Sequence, residues 1–351
     1  MSGRSVRAKR LMSAGMQAAA FVLCVGLLAW CVRGAFSESN RAQWSRLRDA
    51  DAWTVAAVLG LTGATLAING LIFWATIRPV RRLGIVDLQA TNAVGTLLAL
   101  APFKVSILFR VLVHVRRDRV PLVTVGAWFV AVTIGISAAT NPVFFTSLAR
   151  PTVDGWWVLI VAAGLVVSHA AVCGLARVFA GERGLARLRR VAAWVLPGRL
   201  KTLAAGEAVS KAAAGFDMAA HPWWLAAQMG LRVLDLMVLG VRLWLCARIV
   251  GVEVSFGGAI VYGAFHFAIG ALSPAGALGA REGLTAIVAS RMQGFSPESF
   301  AVVMLLLLAS EALVVVPAAL AGVLRLRPDR LLRGWRGHAA GKDGATPGRS
   351  T

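Results

Sequence analysis

The sequence predicts an all-α polytopic membrane protein of about six transmembrane helices plus two re-entrant broken helices in an inverted repeat. Three observations lead there: an apolar excess, apolar runs of bilayer length, and basic residues placed between those runs. Of 351 residues, 58% are hydrophobic and 15% charged, against about 45–50% and about 25% in soluble domains. Mean hydropathy is +0.71. The apolar residues gather in runs of about 20 residues or more, the length that crosses a hydrocarbon core of about 30 Å. Lys and Arg number 37 against 16 Asp and Glu, a net charge of +21. In a soluble protein that excess would point to nucleic acid. Here the cations flank the apolar runs, where they orient helices and meet anionic headgroups.

Taken in order, the first run is Leu11–Val32, preceded by Arg4, Arg7, Lys9 and Arg10. It is longer than the apolar region of a signal peptide, about 7–15 residues, and no small-x-small cleavage site follows, so it reads as a retained helix. Continuous spans follow at Trp53–Ile77, Pro121–Thr140, Trp156–Phe179, Pro222–Val250 and Phe300–Leu324. Two further stretches, Leu83–Val115 and Phe256–Ser290, are interrupted by Ala101-Pro102-Phe103-Lys104 and by Ser273-Pro274-Ala275-Gly276-Ala277-Leu278-Gly279. Proline removes a backbone donor and glycine permits non-helical angles, so each reads as two half-helices meeting inside the membrane.

Positive charge decides whether these stretches cross. If both are re-entrant, the N-terminus 1–10, Arg78/Arg81/Arg82, Arg116/Arg117/Arg119, the linker 180–221 and the tail 325–351 are all cytoplasmic, as the positive-inside rule requires. If both cross, the linker's Arg183, Arg187, Arg189, Arg190, Arg199 and Lys201 fall outside. The re-entrant arrangement divides a single domain, 11–324, into halves 11–141 and 156–324. Each half holds two spans, a hairpin and a third span, so the second is inverted relative to the first. Aligning Pro102 with Pro274 superposes the flanking spans and sets Arg110 opposite Glu282.

The linker places Leu185, Leu188, Ala192 and Val195 at helical spacing among arginines, which suits an amphipathic helix on the cytoplasmic headgroups or a solvated helical loop. The tail from Arg325, with Gly341-Lys342-Asp343-Gly344 and Pro347-Gly348, has the composition of a disordered basic segment. Cys24, Cys31, Cys173 and Cys246 lie in apolar segments without C-x-x-C spacing and indicate neither disulfides nor a metal. P-loop, G-x-S-x-G and H-E-x-x-H patterns are missing, and the sequence carries no positive sign of catalysis or of a cofactor.

Candidate substrate-binding residues are the charges and glycines at membrane depth. Gly276 and Gly279 open a half-helix, whose unpaired N–H groups and positive dipole end attract an anion. Arg281 would add a charge-assisted contact, and Glu282 would cap the half-helix or hold a cationic group or a proton. Lys104 and Arg110 follow the other break and are candidate headgroup contacts, with snorkelling to the interface as the alternative for Arg110. Arg232 and Asp235 share one helix face, Arg242 follows two turns on, and Glu311 is equally deep in the last span; a structural ion pair and a cavity lining are both open. Asn69, Asn92 and His266 read as polar residues bonding neighbouring helices.

The pattern Gly276-x-x-Gly279-x-x-Glu282 inside a broken helix, followed by the span Phe300–Leu324, resembles the lysylphosphatidylglycerol synthase transmembrane region, a family of flippase-like integral membrane proteins. In the first half, Pro102, Lys104, Ser106, Ile107 and Arg110 stand at the positions of that family's Pro-x-Arg-x-Gly-Glu-x-x-Arg motif. Ser106 replaces its glycine, Ile107 its glutamate, and Glu311 stands where arginine is common. The resemblance implies a protein of the bacterial inner membrane that moves a lipid with a charged headgroup between leaflets or supports its modification. No aminoacyl-transferase domain is expected after the membrane part, so lipid aminoacylation itself is not expected.

The expected function is therefore translocation of a phospholipid or polyprenyl-phosphate type of lipid, without enzymatic activity. Its partners are anionic or zwitterionic membrane lipids, not nucleic acid. The alternatives are an accessory subunit for a lipid-modifying enzyme or glycosyltransferase, and a small-solute secondary transporter.

Overall fold

The computed structural model describes residues 19, 21–100, 105–150, 152–195, 207–272, 278–293 and 295–327. Among them the regular elements are helices: α1 (Phe21–Ala35), a 3-10 turn (Glu38–Asn40), α2 (Arg41–Arg48), α3 (Ala52–Ile77), α4 (Ile85–Leu98), α5 (Val105–Arg116), α6 (Leu122–Ala149) and α7 (Gly155–Phe179). There follow α8 (Gly181–Val195), α9 (Glu207–Ala220), α10 (Pro222–Val250), α11 (Phe256–Leu272), α12 (Ala280–Gln293) and α13 (Pro297–Leu326).

Local chemistry sets several boundaries. Asp51 accepts the Thr54 N–H at 2.9 Å and Asp154 accepts the Trp157 N–H at 2.9 Å, so a carboxylate caps the start of α3 and of α7. Ser296 caps α13 through the Ser299 N–H, with Pro297 in the first turn. Gly251 ends α10 at φ +73°, a left-handed position.

Four helices, α3, α6, α7 and α13, are long and apolar enough to cross a membrane, and a fifth span arises if α1 and the segment after it, bent by 60°, count as one. The chain is a multi-pass helical membrane protein. Six continuous spans were expected, and three of them differ from the expectation. The first expected span begins at Leu11, but residues 11–18 lie outside the described ones; the described helix runs to Ala35 and then bends into the amphipathic α2. The 29-residue α10 is long enough to span, but Arg232, Asp235 and Arg242 interrupt its apolar run. In the second half of α6 the helix runs through Pro142 to Ala149, beyond the expected end at Thr140.

Both interrupted stretches consist of two helices, and in each the two helices pack against one another: α4 on α5, and α11 on α12. The breaks themselves, 101–104 and 273–277, lie outside the described residues. The most extensive helix contacts are α10 on α3, α13 on α4, and α10 on α11. Glycines allow the closest approaches. A Cβ on Gly240 would lie 2.9 Å from Ile260 Cα, and one on Gly322 would lie 2.8 Å from the Ala90 carbonyl. The largest buried cluster joins α10, α11 and α13 through Leu243, Cys246, Tyr262, Phe300 and Val303. By contrast α7 is peripheral: only 11% of its most apolar window is buried, and Leu159, Val166, Val167 and Leu175 are exposed.

Within the linker, α8 covers the expected amphipathic segment. The sequence reading missed α9, an Ala-rich helix that packs against both α6 and α7 and buries Ala213 and Met218.

Candidate functional site

Polar side chains on seven helices converge on a cavity of about 300 Å³. Its α3 wall is a stripe of Thr62, Thr65 and Asn69, and its α10 wall a stripe of Arg232, Asp235 and Arg242. Both stripes have the spacing that keeps residues on one helix face. Gly95 and Thr96 of α4, Arg110 of α5, His266 and Phe267 of α11, Arg281 of α12 and Glu311 of α13 complete the lining. Thr65, Asp235 and Glu311 fall at the middles of α3, α10 and α13, so the cavity sits midway along all three.

Each guanidinium is held differently. Arg232 forms an ion pair with Asp235 one turn on, donates through Nη2 to Asn69 Oδ1 at 3.2 Å, and stacks 4.0 Å from the centre of the Phe267 ring. Arg281 donates through Nη2 to Glu311 Oε2 at 2.5 Å and through Nε to Glu282 Oε1 at 2.6 Å. Arg242 donates to Ser310 Oγ at 3.3 Å and lies 3.5 Å from Glu311 Oε1. Glu311 thus bridges α10 and α12 from α13, a link between residues far apart in sequence. Arg110 donates through Nη2 to Asn92 Oδ1 at 2.8 Å, and its guanidinium lies 4.4 Å from the centre of the Phe73 ring. Among the described residues Arg110 has no carboxylate partner. It is buried, 7% exposed, and does not snorkel.

Glycine at position 95 makes room for that arginine: a Cβ there would meet Arg110 Nε at 2.6 Å. Asn92, in turn, is anchored by donating to the Leu66 carbonyl at 2.8 Å. The two asparagines expected only to bond neighbouring helices therefore also orient arginines.

Buried polar atoms around the cavity remain without hydrogen-bond partners: Nη1 of Arg110, Nε of Arg232, Nε and Nη1 of Arg242, Oδ1 of Asp235 and Nε2 of His266. An unpaired buried donor or acceptor costs about 1–3 kcal/mol, more when charged. The set is mostly donors, with an acceptor on Asp235 and a ring nitrogen of His266 whose role depends on its tautomer. Chemically it can hold an anion with several oxygen acceptors, and beside it a hydroxyl or ammonium donor.

Arg110, Arg232, Asp235, Arg281 and Glu311, all expected at a site, line this one cavity. Glu282 is fully buried behind Arg281: its two oxygens accept from Arg281 and from the Gly279 N–H at 2.7 Å, so it caps the half-helix and orients Arg281. Gly279, at φ +85°, packs against the Cys24 carbonyl of α1 and is not part of the cavity wall. Lys104 and Gly276 lie outside the described residues. Arg242, for which a structural ion pair and a cavity lining were both open, also lines the cavity on the Arg232–Asp235 face; the sequence reading passed over the α3 polar stripe, whose threonines and asparagine at helical spacing on an apolar span were the available signal. No protein-family model matches the chain, nor does a curated protein.

Proposed function

We propose that this protein moves a lipid with an anionic or zwitterionic phosphate headgroup between the leaflets of a bacterial inner membrane, holding the headgroup in the central cavity while its hydrocarbon stays in the bilayer. One observation carries the reading: buried guanidinium N–H groups of Arg110, Arg232 and Arg242 stand unpartnered around a cavity midway along the spans. Intramembrane cations are costly unless paired or facing a ligand path. Phosphate oxygens would pair with them, and Asp235 Oδ1 would accept from a hydroxyl or amine on the same headgroup.

The reading extends to the architecture. We take α4/α5 and α11/α12 as re-entrant hairpins and the two halves as an inverted repeat that pairs α3 with α10 and α6 with α13. Exchanging the halves preserves the neighbour relations: α3 on α4 answers α10 on α11, α13 on α4 answers α6 on α11, and α3 meets α10 itself. Such repeats place substrate at the midplane and alternate access by rocking one half on the other. The resemblance to the lysylphosphatidylglycerol synthase transmembrane region belongs to the same proposal, and Gly279 and Glu282, which cap the start of α12, support it. Both termini are then cytoplasmic, and the lining offers charge for binding.

The test is scrambling of fluorescent phospholipids and of a labelled polyprenyl phosphate by the purified protein in liposomes. Wild-type protein is expected to accelerate at least one class. The variant Arg110→Gln/Arg242→Gln, which removes two charge-assisted contacts of about 1.5–3 kcal/mol each, should slow it by at least about tenfold. Folded wild-type protein that moves no lipid class would sink the proposal.

A further inference from the structure

A second, separate feature lies on the outer face of the bundle. Between α6, α7 and α9 runs a groove of about 500 Å³ that shares no lining residue with the central cavity. Small residues, Gly126 and Ala131 of α6, Ala176 of α7 and Gly215 of α9, line it together with larger aliphatics and Phe216. Val130 and Leu175, at 59% and 63% exposed, stand outside the packed core. An exposed slot of this kind with no polar side chain in its lining calls for hydrocarbon, not water.

What lies at one end of the groove identifies the occupant. The Phe179 and Phe216 rings pack at 5.3 Å, and the Gly181 N–H donates to Asp217 Oδ1 at 2.9 Å, which ties the start of α8 to α9. Helix α8 packs on α7 and α9, two of the groove's three walls, and Arg187 is fixed to the Val178 carbonyl. Exposed Arg183, Arg189 and Arg190 stand on this short helix against one carboxylate, Glu182, and Trp194 is 88% exposed near its end. Basic residues and an exposed tryptophan beside an apolar slot match the two parts of an anionic phospholipid at an interface.

The geometry points to a resident lipid site: one anionic phospholipid, bound and not transported, with an acyl chain in the α6/α7/α9 groove and its phosphate against the α8 arginines. The site would fasten the linker between the halves to the membrane. It needs the membrane placement of the chain but not lipid transport through the cavity.

Native mass spectrometry of the delipidated full-length protein, titrated with phosphatidylglycerol and with phosphatidylcholine of the same chains, tests the site. One phosphatidylglycerol should be retained in at least about tenfold preference. A Cβ on Gly126 meets nothing within 4 Å, so Gly126→Leu fills the groove without disturbing the helices. By displacing about two methylenes, at about 0.8 kcal/mol each, it should lower retention by about tenfold. Arg183→Gln/Arg189→Gln/Arg190→Gln should abolish the headgroup preference while leaving residual binding. Gly174 is equally open on the other side of α7, and Gly174→Leu should change nothing. The inference is overturned if both lipids bind equally, if Gly126→Leu has no effect, or if Gly174→Leu or the cavity variant Arg110→Gln/Arg242→Gln abolishes retention instead. Loss in the cavity variant alone would leave the transport proposal standing and remove this one.

Discussion

Asp235→Asn would isolate the worth of the ion pair at the centre of α10. The side chains of Arg232 and Asp235 are 2% and 5% exposed, and Asp235 is the carboxylate that Arg232 touches. Breaking such a pair by removing one partner costs about 3–5 kcal/mol, because the other charge stays buried and uncompensated. Asparagine keeps an oxygen for Arg232 Nη1, and that hydrogen bond, from the charged guanidinium to a neutral acceptor, returns about 1 kcal/mol. The contacts of Arg232 to Asn69 and to the Phe267 ring exist in both proteins and cancel. The expected loss is therefore about 2–4 kcal/mol. Arg232→Gln should cost a similar amount, since it leaves Asp235 alone. The double variant Arg232→Gln/Asp235→Asn removes both charges together and should lie within about 1 kcal/mol of wild type, a coupling of at least about 3 kcal/mol. Reversible unfolding in mixed detergent micelles measures all four proteins. Additive single costs, or a cost for Asp235→Asn below about 0.5 kcal/mol, would refute the burial argument. In the scrambling assay the double variant should be folded but slow, because the acceptor at Asp235 has lost its charge.

Three other outcomes follow from the same geometry. Gly95→Ala would bring a Cβ within 2.6 Å of Arg110 Nε; the flexible guanidinium should yield, so the thermal midpoint stays nearly constant while scrambling slows, and an unchanged rate would remove Arg110 from the headgroup site. Arg291→Cys, exposed at the end of α12, should be labelled by an impermeant maleimide from outside intact cells, since the four native cysteines are buried; labelling only in inside-out vesicles would overturn the topology. The Asp154 carboxyl, capping α7 outside the membrane, is held at about 2 by the Arg150 guanidinium and the Trp157 N–H. Its folded pKa lies below the unfolded value of about 3.9. Its stabilisation is thus complete above that value and is lost as the pH falls through about 2. The difference in thermal midpoint between wild type and Asp154→Asn should shrink on acidification from about pH 5, and a constant difference would count against the carboxylate cap.

Much of the helix layout was legible in the sequence. The runs Trp53–Ile77 and Trp156–Phe179 appear as α3 and α7 almost residue for residue, because hydropathy over a bilayer length is a property of contiguous residues. Both Pro/Gly interruptions separate two helices, since backbone breakers act where they stand. The linker was harder to read. Helix α8 announced itself through alternating arginines and leucines, whereas α9 is stabilised by packing on α6 and α7, which its Ala-rich sequence does not encode locally.

The site divides in the same way. From the sequence alone, charges sit at membrane depth and Arg232 and Asp235, one turn apart, share a face, because helical periodicity fixes neighbours within a helix. Tertiary structure decided everything between helices: that Glu311 links Arg281 to Arg242, that Glu282 is consumed as a cap, that Asn92 holds Arg110, and that Gly95 yields room for its guanidinium. Those partners depend on how far each helix is rotated and shifted against the next. That register is set by the summed packing of many side chains around small residues such as Gly240 and Gly322, and no local pattern in the chain records it.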